Sequence, residues 1–237
     1  FLGHVIRGSG MAEAEQAFDI LARSPATAKH LGFELAQYFV ADEPPPALVD
    51  RLARRYLETD GSIRAVLKTL FTAAEFRAAE NIGNKFKTPY QFVVSAMRAA
   101  DLPFSNFRPL YGMMAQLGEP LYGCQTPDGY KNTEAAWLNP DAMTRRLSFA
   151  TALASGRQPL DRPPVVPPRL NPKRPELAAR MVKDEPMAAA DAGPVDATPL
   201  LATYTPILSA RTMSALYAAP MQLRAALLLG SPEFMRH

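Results

Sequence analysis

The chain has 237 residues, enough for one large domain or two small ones, and 48% of them are hydrophobic, enough for a sizeable core. Its formal net charge of +3 comes from 26 basic and 23 acidic residues scattered along the chain, which excludes the strong basic field that nucleic acid or anionic lipid would call for. One cysteine, Cys124, excludes an internal disulfide, and no cysteine and histidine spacing suits a structural zinc.

No run approaches the roughly 18 apolar residues of a membrane span, and no stretch reads as a charged-then-apolar leader. The first residue, Phe1, is not a start methionine, so the chain reads as processed or truncated.

Apolar residues at helical spacing dominate, and the chain is expected to be all-α. Ser24 and Pro25 read as an N-cap with proline at the first helical position, opening a helix to about Val40 that buries Leu31, Leu35, Tyr38 and Phe39. Pro44, Pro45 and Pro46 lead into a helix from Ala47 to Leu57, with Leu48, Leu52 and Tyr56 four apart. Asp60 and Gly61 turn the chain into a helix from Ser62 to Phe71, and Thr72 with Glu75 has the spacing of a capping box.

Thr88 and Pro89 open a helix through Arg98 that buries Phe92, Val93, Ala96 and Met97, and Leu110 to Leu117 form another that ends at Gly118. Asn139 and Pro140 cap a helix running to about Ala154. From Gln158 to Thr205 prolines recur, in "RPPVVPPRLNPKRP" and "DEPMAAADAGPVDATP", which favours extended chain with one short helix at Glu176 to Lys183. Helices from Ser209 to Ala218 and Met221 to Leu229 close the chain.

The expected organisation is therefore a multi-helix bundle with a long proline-rich extended segment. It divides into a helical domain at 1–157, a linker or arm at 158–206, and a C-terminal helical pair at 207–237 that packs on the main domain. The segments "IRAVLKTLFTAAEF" and "LRAALLLGSPEF" echo each other once two residues are dropped, as though one helix-to-helix joint were used twice.

The densest cluster of turn-forming, polar and aromatic residues is "TPDGYKNTEAAWLNP", Thr126 to Pro140. Pro127, Asp128 and Gly129 suit a tight turn next to Tyr130 and the single tryptophan, Trp137. One reading makes Asp128, Tyr130, Glu134 and Trp137 a ligand pocket of the composition a sugar or peptide site uses. The other has the turn pinning helices through its aromatics, and it is preferred because such turns need no ligand.

Other candidates are weaker. His30 and Glu34 lie four apart on a helix and lack a third ligand, so no metal and no cofactor is expected. Cys124 has no histidine near it in sequence, and His4 and His237 lie at the ends, where disorder is the usual expectation. Lys85, Lys87 and Arg98 read as a solvated face, and Met113, Met114 and Met143 as core filler. No nucleophile elbow, phosphate-binding glycine loop or His-Glu-x-x-His occurs.

The ordered pattern "SPATAKHLGFELAQYFVADEPPPALVDRLARRYLETDGSIRAVLKTLF", "KTPYQFVVSAMRA", "LGEPLYGCQTPDGYKNTEAAWLNP" and "SPEF" resembles the bacterial family catalogued as domain of unknown function 1800. The likeness covers most of the chain outside the proline-rich insert and corresponds to the C-terminal part of the family domain. It implies a long, helical, exported or envelope protein, periplasmic or secreted, often encoded beside a second family of unknown function with a sulfatase-like fold. A protein partner follows from that, the missing N-terminal part of its own precursor being one candidate.

Phe33 and Glu34 stand where the resemblance leads one to expect a basic pair, which argues against an anion site on that face. The family supplies no catalytic residues to carry over, so whether the chain is an enzyme stays open. The expected function is a non-catalytic helical module that binds a partner protein, with the proline-rich arm lying across it. The alternative is a subunit of a hydrolytic or polymer-processing system.

Overall fold

The computed structural model describes residues 1–8, 10–160 and 193–237. The protein is all-α: the described residues contain eleven α-helices, three short 3-10 turns and no strand. The expected helix at Glu176 to Lys183 and most of the proline-rich arm lie outside the described residues. Two compact units emerge, one made of residues 1–86, 132–134 and 237, the other of residues 87–131 and 135–236.

In the first unit, α1 (Met11–Ala22) is followed by α2 (Pro25–Phe39), α3 (Pro46–Glu58) and α4 (Ile63–Thr72). The Ser24 hydroxyl accepts from the Ala26 N–H at 3.3 Å, and Pro25 begins α2 where a missing N–H costs nothing. Leu48, Leu52 and Tyr56 of α3 are buried, as their four-residue spacing predicts, and Val49 is buried beside them.

The buried stripe of α2 differs from expectation. It is Ala28, Gly32 and Ala36, with Leu31 and Leu35 at its margin, while Tyr38 and Phe39 stay largely exposed. The reason is close approach to α3. A Cβ added at Gly32 would lie 3.1 Å from the Val49 carbonyl and 3.3 Å from the Leu52 Cβ, so only small residues let the two backbones come this near. Tyr38 and Phe39 instead start an edge-to-face aromatic chain that runs on through Phe71 to Phe76.

Thr72 and Glu75 do not form a capping box. Thr72 ends α4 and its hydroxyl donates back to the Lys68 carbonyl at 2.8 Å, whereas the Glu75 carboxylate takes a hydrogen bond from Arg51 on α3 at 2.7 Å. That bond holds the Glu75 carboxyl below the usual carboxylate range. The real capping box lies at Thr88 and Gln91, where each side chain accepts from or reaches the other's backbone N–H.

The second unit contains α5 (Pro89–Ala100), α6 (Arg108–Gln116), α8 (Pro140–Ala154), α9 (Ala197–Tyr204), α10 (Ala210–Ala218) and α11 (Met221–Leu229). The short helix α7 (Glu134–Trp137) begins in one unit and ends in the other. Here α8 packs on α11 and α5, and α9 and α10 both pack on α11. Phe92 of α5 sits at the core centre, with Phe149 of α8 at 6.0 Å and Phe234 at 6.3 Å between ring centroids.

Within the stretch expected to be extended, α9 is a true helix. The Asp196 carboxylate accepts from the Thr198 N–H at 2.9 Å, and Ala197 and Leu200 are buried. Local capping and two apolar contacts override the compositional signal there.

The echoed segments perform one task twice. Glu75 receives Arg51, 24 residues earlier, and Glu233 receives the Ser209 N–H, also 24 residues earlier, together with the Thr212 hydroxyl. In both units a carboxylate at the end of a helical hairpin reaches back to the hairpin's first helix, and the next residue, Phe76 or Phe234, turns into the apolar interior.

Two residues read as solvated, and one expected to be disordered, are held in place. Lys85 and Lys87 are buried rather than solvated. The Lys85 ammonium donates to the Asn132 carbonyl at 2.7 Å and to the Asp42 carboxylate, and the Lys87 ammonium donates to the Phe234 carbonyl at 2.6 Å while lying 4.0 Å from that ring's centre. His237 is tied down, its N–H donating to the Lys85 carbonyl at 2.9 Å. Each cation finds carbonyl oxygens or a ring face, which is what allows its burial.

Candidate functional site

Along Thr126 to Pro140 the polar groups of Asp128, Tyr130 and Trp137 are engaged with a neighbouring side chain or with backbone carbonyls. Asp128 is exposed and receives the Lys131 ammonium at 2.6 Å, and that hydrogen bond, helped by Thr126, holds its carboxyl down to about 2. The Tyr130 hydroxyl donates to the Pro120 carbonyl at 2.8 Å, and loss of surrounding water, then Cys124 and Glu119, raises its pKa. The buried Trp137 donates its indole N–H to the Lys131 carbonyl at 2.7 Å, with its ring 6.2 Å from Tyr130.

Glu134 belongs to the first unit, where its backbone N–H donates to the Asp42 carboxylate at 2.6 Å. The structure thus brings Tyr130 and Trp137 into ring contact and pairs Asp128 with Lys131. None of the four residues lines either of the two cavities described for the protein. Among the described residues no three histidine, cysteine, aspartate or glutamate side chains gather where they could hold a metal. Cys124 is half-buried, 3.6 Å from the Thr126 carbonyl.

A different surface has the shape of a binding site. Between α5 and α6 lies a groove of about 590 Å³ whose walls include Tyr90, Met97, Phe104, Phe107, Tyr111 and Leu121. Five of these, all but Met97, are 39–52% exposed, although burying them would be favourable. Phe107 stacks on Tyr111 at 6.2 Å and 18°, and Phe104 meets Phe107 edge-on at 5.1 Å.

The loop before α6 is fastened at the groove wall by a set of hydrogen bonds. The Ser105 and Asn106 N–H groups both donate to the Leu160 carbonyl, at 2.9 and 2.8 Å, and the Asn106 side chain donates to the Pro159 carbonyl at 3.0 Å. The same side chain's oxygen accepts from the Arg108 N–H at 3.1 Å at the start of α6. Opposite, the Tyr90 N–H at the start of α5 donates to the Glu119 carboxylate at 2.7 Å. Asp101, in the left-handed region at the end of α5 (φ 48°), and Arg98 supply the groove's charged rim.

Beside Leu121, Tyr122 is fully exposed and also left-handed, at φ 57°, a conformation a bulky residue adopts only when its surroundings impose it. Sequence reasoning passed over this surface. Its only trace is Phe104, Phe107 and Tyr111, three and four residues apart across a helix start, and this spacing is equally what a buried face shows.

Among the described residues no helix is long and apolar enough to cross a membrane. A family model described as "Protein of unknown function (DUF1800)" matches residues 1–236. No curated protein and no solved structure matches the chain.

Proposed function

Because the chain belongs to the DUF1800 family, described only as of unknown function, we propose that it is a non-catalytic helical module of an exported or envelope bacterial protein and that it binds a partner protein. The aromatic groove between α5 and α6 carries this reading. Interfaces are enriched in tyrosine, phenylalanine and methionine around a depleted charge centre, and the groove has that composition on a fastened scaffold. Its shape, concave and lined by aromatic rings, suits an extended peptide segment of the partner. The placement in the envelope is supported by the family resemblance.

Phe107 and Tyr111 are about half exposed, so replacing both by alanine leaves the core intact. A protein should co-purify stoichiometrically with the wild type from its native host, and the double variant should keep the wild-type thermal midpoint and lose that protein. Retention of that protein by a folded double variant overturns the reading. Hydrolysis by the wild type on a glycan or ester panel, abolished in Asp128→Asn, would replace it with the hydrolytic alternative.

A further inference from the structure

We propose that the groove takes an extended segment of a partner protein carrying a single lysine or arginine, which meets Asp101, and large apolar or aromatic side chains at two-residue intervals beside it. The inference rests on the reading of the groove as a protein-docking surface and names the chemistry that surface selects.

The two ends of the groove differ. Tyr90, Val94, Met97, Arg98 and Asp101 line it on successive turns of α5, so it runs the length of that helix, about 16 Å from Tyr90 to Asp101. At the start of α5 stand Tyr90 and, two residues past the Glu119 carboxylate that takes its N–H, Leu121. The charged rim, Arg98 and Asp101, lies at the other end, with Phe104.

Asp101 is a charge that the backbone does not require. The residue after α5 is held in the left-handed region at φ 48°, and glycine or asparagine satisfies such a position without charge. Aspartate instead places a carboxylate at the negative end of the helix dipole, where acids are disfavoured. Its N–H closes α5 on the Met97 carbonyl at 3.2 Å, and Pro103 has no N–H for the carbonyls that follow, so helix end and carboxylate form one electronegative spot.

Among the described residues Asp101 forms no ion pair, not even with Arg98 three residues back. A cation from a partner relieves that arrangement, and the rings of Phe104 and Phe107 on the same wall receive its alkyl stem. Arg98 sets the limit. It sits about one turn before Asp101 on the same rim and repels a second cation, so the site selects one basic residue and rejects a basic run.

The length of the segment follows from geometry. An extended chain rises about 3.3 Å per residue, so about five residues span the groove, and alternate side chains face one wall. With the basic residue at Asp101, the side chains two and four positions away fall along the rings toward the Tyr90 end.

A phage-displayed library of random dodecapeptides, panned on the wild type and depleted on the folded Phe107→Ala, Tyr111→Ala double variant, tests this. Enriched peptides should carry one lysine or arginine, with aromatic or large aliphatic residues two and four positions from it. The best of them, synthesised with a fluorophore and read by anisotropy, should bind Asp101→Asn about three- to fivefold more weakly than the wild type, the range an exposed charge pair allows, and the gap should close in 1 M salt. Asparagine tolerates the left-handed backbone, so this variant keeps the turn. Replacing the peptide's basic residue by methionine should cost the same factor on the wild type and nothing further on Asp101→Asn.

Enriched peptides without a basic residue, or equal binding to the wild type and Asp101→Asn, overturn the inference. If no peptide is enriched while the co-purifying protein still depends on Phe107 and Tyr111, the inference fails and the docking function stands. If neither peptide nor co-purifying protein depends on those two rings, both fall.

Discussion

The fully buried guanidinium of Arg146 donates to the Lys87 carbonyl at 2.8 Å, lies 5.0 Å from the Phe92 ring centre and touches the Met235 sulfur at 3.8 Å. A single side chain from α8 thus ties together the entry to α5 and the end of the chain. Arg146→Ala opens a large void and strips a buried carbonyl of its donor, so it should cost about 3 kcal/mol or more in urea unfolding. Arg146→Met keeps the volume and should cost about 1–2 kcal/mol. Equal losses would mean that packing contributes nothing at this position.

Lys87 makes stability depend on alkaline pH. Burial, with Arg146 adding to it, pushes its ammonium down to about 8 from an ordinary 10.5. Between those values the unfolded chain binds more protons than the folded one, so the unfolding free energy should rise as pH climbs from about 8 toward 10. Below pH 8 both states are protonated and the full penalty, up to about 3 kcal/mol, is present. Burial also lowers Arg146, to about 10, and raises Tyr204, so the measurement belongs between pH 7.5 and about 9.5, below where those groups titrate. Urea midpoints across that interval should climb for the wild type and stay level for Lys87→Met.

Gly32→Leu should splay α2 from α3. The side chain would have to enter where even a Cβ meets the Val49 carbonyl at 3.1 Å, and overpacking of this kind costs about 1–3 kcal/mol. A thermal midpoint at or above the wild-type value would show that the helix pair can separate without loss.

The turn at Asp128 and the ring at Trp137 should respond differently to substitution. Asp128→Asn removes an exposed ion pair with Lys131 and should leave the urea midpoint unchanged. Trp137→Phe removes the indole donor from the Lys131 carbonyl and should cost about 1–2 kcal/mol. If Asp128→Asn were the more damaging, the turn and not the tryptophan would be the structural anchor.

Helix boundaries were largely legible in the sequence because their causes are local: Ser24 with Pro25, Thr88 with Pro89 and Asn139 with Pro140 each start a helix where the residue types predict it. What sequence reasoning missed depends on partners distant in the chain. The buried face of α2 is set by how near α3 comes, and the burial of Lys85 and Lys87 by carbonyls of residues 132 and 234. The groove was hidden for the same reason, since aromatic residues at helical intervals read alike whether the tertiary structure covers them or leaves them open.

The twin carboxylates, Glu75 and Glu233, also bear on how quickly the protein can assemble. Each closes a loop of 24 residues, so a hairpin in either half can lock before any remote segment arrives. Chains rich in such near-neighbour closures fold faster than chains whose contacts join only distant segments.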